Sequence, residues 1–243
     1  MVRKVLMLSF CILAPSLSLA AWQDPYAPSY GTEPPNSVLV QALAAIDRNT
    51  TRFQDNAGKI LDVVTMGCDF PAEADANIAQ IDPKDLAGVN VRIVVRAQAG
   101  YPGGQSSASA PTQAAAGGKS QLAKQTDGVP RAFAYVYVYD QNEKTWVSTN
   151  YVALAAGLAW MVNPEKWPVN GPEDSQMIAS MKQGVTFATN GKTGLYSILD
   201  NPKSISYEDV KQLFDNFDAY WFPPDVRSTL KNMLQQLSAE GEL

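Results

Sequence analysis

The sequence predicts an α+β fold, and three stretches carry that expectation. Residues 133–139 read F-A-Y-V-Y-V-Y, a β-branched and aromatic run suited to a pleated, half-buried surface. After a polar turn at residues 140–144, Trp146 and Val147 return to extended character, and Ser148, Thr149 or Asn150 caps an Ala-rich helix over residues 151–161. Near the C-terminus, Ser206 and Asp209 form a capping pair ahead of Val210, Leu213, Phe214 and Phe217 on one helical face. Asp225 opens a further helix with Val226, Leu230, Met233, Leu234 and Leu237 on one side.

The N-terminal residues 1–20 read as a signal peptide. Arg3 and Lys4 make a short basic region, residues 5–14 are apolar, and Ser18-Leu19-Ala20 supplies the small residues a signal peptidase requires. Cleavage after Ala20 or Ala21 is expected. Lipidation at Cys11 is not, because the bulky Phe10 precedes it. No later stretch approaches the roughly 20 apolar residues of a membrane helix, so no permanent membrane span is expected and the location is periplasmic or secreted.

Charge and residue content narrow the chemistry. The net charge is −5, and losing Arg3 and Lys4 with the leader leaves 17 basic against 24 acidic residues, or −7. That sign does not suit a protein living on nucleic-acid phosphate, although a local basic groove remains open to it. There is no histidine, which removes Ser-His-Asp and Cys-His catalysis and histidine-ligated zinc. Without the leader, Cys68 is the sole cysteine; no intramolecular disulfide is available, and a buried, inert thiol is expected.

Residues 21–57 are expected to form an extended Pro- and Tyr-rich arm followed by a helix. Asn36 or Ser37 would cap that helix through Asp47, with Val38, Val40, Leu43, Ala44 and Ile46 as its apolar face. Trp22, Tyr26 and Tyr30 are candidates for docking on a partner. A strand is expected over residues 59–66 after an Asn-Ala-Gly breaker, and another over residues 89–96. Residues 101–128, rich in Gly, Ser, Ala and Gln, read as a flexible loop. Within it Gly117-Gly118-Lys119-Ser120 lacks the first glycine at phosphate-loop spacing and follows no strand, so it is set aside. Glu173 and Asp174 read as helix-start charges behind Pro172.

Arg131-Ala132-Phe133-Ala134-Tyr135-Val136-Tyr137 resembles the R-G-L-A-Y-V-Y strand of the staphylococcal nuclease family. Asn150, Leu154, Gly157, Leu158 and Ala159 are similar to its V-N-x-x-L-V-x-x-G-L-A helix, and Gly194-Leu195-Tyr196-Ser197 to its closing G-L-W-S. The resemblance implies an OB-type five-stranded β-barrel, staphylococcal-nuclease-like, over residues 58–201, with helices added at the N-terminal end and a helical hairpin over residues 202–243. It also implies a site. In the family a strand carries V-x-D-G-D-T, whose second aspartate binds calcium; matched on Asp62 and Thr65, that position falls on Val64. The next strand begins with a catalytic arginine and ends in D-A/T-P-E; Arg92 takes the arginine position and Ala97 stands where the carboxylates begin to be missing. Arg92 and Arg131 are then phosphate-binding candidates without a metal or a base to activate water. A different threading would bring in a carboxylate from the segment between the strands, which holds Asp69, Glu73, Asp75, Asp82 and Asp85.

The expected function is therefore an exported noncatalytic nuclease-like module that binds or scaffolds protein partners in the cell envelope, as in a secretion or conjugation assembly, with no cofactor. One alternative is a calcium-dependent nuclease with relocated ligands, using Arg92 and Arg131. Another is a single-stranded nucleic-acid or nucleotide-binding barrel that stacks bases on Tyr135, Tyr137 and Tyr139.

Overall fold

Among the described residues strands come first and helices last: β1 (Ser29–Tyr30), β2 (Val38–Asp47), β3 (Thr50–Asp55), β4 (Ile60–Thr65), β5 (Cys68–Asp69), β6 (Val91–Gln98), β7 (Arg131–Asp140), β8 (Thr145–Ser148), α1 (Thr149–Ala155), β9 (Trp160–Met161), α2 (Ser175–Gly191), α3 (Tyr207–Asp215) and α4 (Pro224–Ala239). The computed structural model describes residues 29–71, 90–98, 128–167 and 171–241. The expected signal peptide, Trp22 and Tyr26, the acidic residues Glu73, Asp75, Asp82 and Asp85, and residues 101–127 lie outside them.

Strands β7, β4, β3, β2 and β6 pair in that order, and β6 pairs with β7 to close a five-stranded barrel. It is mixed: β4 and β7 run parallel and the other neighbours antiparallel. The architecture is α+β and compatible with an OB-type barrel. Alternation along β7 sends Ala134 and Val136 into the barrel with Val40, Phe53, Val63 and Ile93. Phe133, Tyr135 and Tyr137 point the other way, into a second core shared with the helices.

The helix expected over residues 36–47 is a strand, β2, which pairs with β3 on one side and β6 on the other. The barrel therefore begins at Val38 rather than near residue 58. Two register shifts in the β2–β3 ladder, between Ala42 and Ala44 and between Ala45 and Asp47, explain the misreading. Each bulge breaks the two-residue period, so the apolar positions fall at helix-like spacing. The arm before it folds back as β1 on β8, with Tyr30 edge-on to Tyr137 at 5.6 Å. Tyr30 thus packs on its own barrel.

Helix α1 also stops earlier than the expected residue 161. Ser148 caps it by accepting from the Tyr151 N–H, and Gly157 ends the turn with φ +69°. The chain then re-enters as β9, which pairs with β5 and so fixes Cys68 and Asp69. Asn150, fully buried, ties this region to the barrel: its side chain accepts from Val136 N at 2.9 Å and donates to Met66 O at 2.8 Å. The two C-terminal helices form as expected, with Ser206 accepting from Asp209 N. They are integral, since Leu213, Tyr220 and Leu230 are fully buried in the same core as Trp160 and Tyr196.

Candidate functional site

The β2–β3 turn, the end of β5 and helix α3 meet on one carboxylate, Asp69, which is 4% exposed. Gly67, at φ +77°, turns the chain from β4 toward it; a β-carbon there would lie 2.6 Å from both Met181 and Trp167, so glycine is required. Asp69 Oδ1 accepts from Asn49 Nδ2 at 2.9 Å and lies 3.3 Å from Arg48 Nη2. Asp69 Oδ2 accepts from Tyr220 OH at 2.6 Å and from Gln212 Nε2 at 3.1 Å. The Asn49 orientation is set at both ends, because its Oδ1 accepts from Phe70 N at 2.9 Å. Burial first, and then the Asp69 charge, push the Tyr220 hydroxyl well above its ordinary value, so it remains a donor.

Arg131 stands beside this network. It is 8% exposed, opposite Asp62 in the parallel β4–β7 register, and its Nη2 lies 3.4 Å from Asp47 Oδ2. Asp47 also accepts from Asn49 N at 2.9 Å, which joins Arg131 to Asn49 and hence to Asp69. Asp62 is itself held by Arg52, at 2.7 and 3.0 Å.

The second phosphate-binding candidate is elsewhere. Arg92 faces Tyr137 in register, six residues beyond Arg131 on β7, roughly 20 Å along the strand. It donates to Ser37 O and Ser37 Oγ, each at 3.2 Å, pairs with Glu33, and lies 5.6 Å over the Trp146 ring. The two arginines do not converge on one phosphate. Val64 and Ala97 flank Phe133 on neighbouring strands, and Val64 is 3% exposed within the helix-side core. Tyr135 and Tyr137 are buried and offer no stacking face, while Tyr139 is half-buried against Trp146 at 5.2 Å.

A hard cation needs converging oxygen lone pairs. Around Asp69 the groups converge as donors, from Asn49, Gln212, Tyr220 and Arg48, so the described residues offer calcium no such set in this arrangement. Among the described residues no group of three or more Cys, Asp or Glu side chains is disposed to hold a metal ion. Nor does any helix of the described residues have the length and apolarity to cross a membrane.

Asp174, expected as a helix-start charge, starts α2 but is also fully buried. Arg96 grips it with two hydrogen bonds at 2.7 and 3.0 Å, and Tyr135 OH and Gly171 N donate to it at 2.8 Å each. Burial opposes its charge, yet these donors outweigh burial and hold its carboxyl below the ordinary range. Sequence reasoning placed Asp69 among the candidate carboxylates but missed Asn49, Gln212 and Tyr220. Asn49 carries a local signal, a polar Asp-Arg-Asn-Thr stretch that ends the apolar run of residues 38–46; Gln212 and Tyr220 approach Asp69 from more than 140 residues away and carry none.

No protein-family model matches this chain, and no curated protein does.

Proposed function

We propose that the chain is an exported, noncatalytic nuclease-like barrel that serves as a binding or scaffolding module for protein partners in the bacterial envelope. The observation that carries the noncatalytic reading is the Asn49–Asp69 hydrogen bond at 2.9 Å. With β2 and β3 inside the barrel, the family's motif order moves back by one hairpin. Asp47-Arg48-Asn49-Thr50 then corresponds to D-G-D-T, and Asp69-Phe70-Pro71 to the start of D-A/T-P-E. On this correspondence the calcium-binding aspartate is Asn49. Two carboxylates in contact would need a cation between them, whereas an amide and a carboxylate bond directly. The position of the water-activating glutamate falls on Ala72, with Glu73 next, both outside the described residues. Strand β4, which would carry the catalytic arginine, has none. The assignment to a secretion or conjugation assembly rests on the signal-like leader together with the loss of catalytic groups.

The calcium-dependent nuclease retains one supporting observation: Arg131, Asp47, Asn49 and Asp69 share one hydrogen-bond network. Cleavage of single- and double-stranded DNA and RNA by the chain from Ala21 onward, with calcium and with chelator, separates the two readings. The expected result is no cleavage above that of Arg131→Ala. Calcium-dependent cleavage that disappears in Arg131→Ala would overturn the noncatalytic reading.

A further inference from the structure

Residues 29–37 lie across the barrel as a short strap. Its two-residue strand β1 covers the outer edge of β8, with Ser29 opposite Val147 and Tyr30 opposite Trp146. Arg92 holds the other end, bonding Ser37 and Glu33 while resting on Trp146. At the strap's end before β2, Pro34 and Pro35 favour an extended chain, and Asn36 reverses it with φ +57°, where a Ser37 N–H to Pro34 O bond of 3.2 Å closes the turn. Outside glycine, that left-handed conformation is unfavourable, and asparagine is among the residues that best tolerate it.

We propose that the strap is exchangeable between two copies of this chain, each supplying the strand that covers the other's β8 edge. The occupant is identified by the contacts already present. The β8 edge, Tyr137 and Arg92 together fit Tyr30 and Glu33, and a second copy presents that same pair, while Ser37, beyond the hinge and next to the Val38–Ile93 pairing, stays on Arg92 of its own barrel. The exchange needs one hinge. Rotation of Asn36 out of the left-handed region opens the turn over residues 34–37 and swings residues 29–35 away from their own barrel. The closed and exchanged forms make the same strap contacts, so Asn36 and the chain concentration set the balance between them. This holds whether or not the barrel cleaves nucleic acid.

The test uses two chains from Ala21 onward, each carrying one new cysteine besides the enclosed Cys68, Ser29→Cys in one and Val147→Cys in the other, mixed at high concentration and oxidised with diamide. A disulfide joining the two different chains forms when a strap crosses, and oxidising each variant alone gives the background. The expected result is a mixed dimer above background. Its yield should rise by roughly fivefold or more with Asn36→Val, which disfavours the left-handed turn, and fall with Asn36→Gly, which accepts it. A single chain carrying both cysteine substitutions should close its own disulfide in dilute solution. If that control closes and no mixed dimer forms, the strap does not exchange. If the control fails to close, β1 is not seated on β8, and the proposal fails at its premise.

Discussion

Asn49 and Asp69, twenty residues apart, hold each other through a single buried amide-to-carboxylate hydrogen bond of 2.9 Å. That bond requires a hydrogen-bond donor at position 49. Around it, the β2–β3 turn, the β5–β9 pair and helix α3 are drawn together on one charge.

Replacing Asn49 by Asp keeps the size and removes the donor, leaving two carboxylates in contact at a buried site. The expected loss is about 2–4 kcal/mol at neutral pH. One of the two carboxyls would then titrate above its unfolded value. Stability would fall as pH rises through that interval and recover below it. Urea unfolding of Asn49→Asp and the unaltered chain across neutral and mildly acidic pH reads the effect. Equal stability at neutral pH would show that the amide does not matter.

Part of this was legible in the residues. The F-A-Y-V-Y-V-Y strand, the Ser148 cap and the Ser206–Asp209 cap are local chemistry and stand where the sequence puts them. Strand β2 was hidden because its bulges, with three alanines between them and around them, mimic a helical face. That error displaced the barrel's start, and with it the motif register, so that Val64 and Ala97 were assigned positions that belong to Asn49 and Asp69 under the proposed correspondence. Arg92 looked like a site residue because a strand-borne arginine beside an aromatic strand fits phosphate chemistry. Its partners, Glu33, Ser37 and Trp146, are set by tertiary pairing alone.

Tyr220→Phe removes the shortest bond to Asp69 without removing the ring that stacks on Trp160. The carboxylate keeps Asn49, Gln212 and Arg48, so the expected cost is about 1–3 kcal/mol and the fold survives. Chemical unfolding monitored by tryptophan fluorescence measures it; an unchanged midpoint would mean that the C-terminal helices do not depend on this contact.

Asp174 supplies an acid-sensitive element. Its folded-state carboxyl titrates below the unfolded value, so its contribution is complete above about pH 4 and is lost as pH falls through the lower, folded-state value. Asp174→Asn should therefore be less stable than the unaltered chain at neutral pH, with the difference shrinking in strong acid. Removing the other partner, by Arg96→Met, leaves a buried charge with only Tyr135 and Gly171 and should cost about 3 kcal/mol or more. A gap between Asp174→Asn and the unaltered chain that stays constant from neutral to strongly acid pH would rule out an ionised Asp174 in the fold.

The Cys68 thiol is fully enclosed; burial, and then the Asp69 charge, push its titration far upward. In the chain from Ala21 onward it should resist iodoacetamide at mildly alkaline pH and react at the rate of global unfolding. Rapid labelling of the native chain would contradict its enclosure against α1 and β9.

Two glycines share the same backbone angle in different surroundings, which separates conformation from crowding. Gly157 and Gly128 both have φ +69°. A β-carbon at Gly128 would meet none of the described residues within 4 Å, so Gly128→Ala should carry only the left-handed penalty of about 1–2 kcal/mol. A β-carbon at Gly157 would lie 2.2 Å from the Thr193 carbonyl oxygen, which is backbone and cannot rotate aside. That approach joins the turn after α1 to the turn after α2, where Leu195 N donates to Gly157 O at 2.8 Å. Gly157→Ala must push the two turns apart and lose that bond, so its cost should exceed that of Gly128→Ala by about 2 kcal/mol or more. Because the displaced turn leads into Leu195 and Tyr196 of the helix-side core, the damage should appear as loss of near-ultraviolet circular dichroism as well as a lowered melting temperature. Equal losses at the two positions would mean that the turns can separate freely, and that the junction between barrel and helices is looser than the Gly157–Gly194 contact implies.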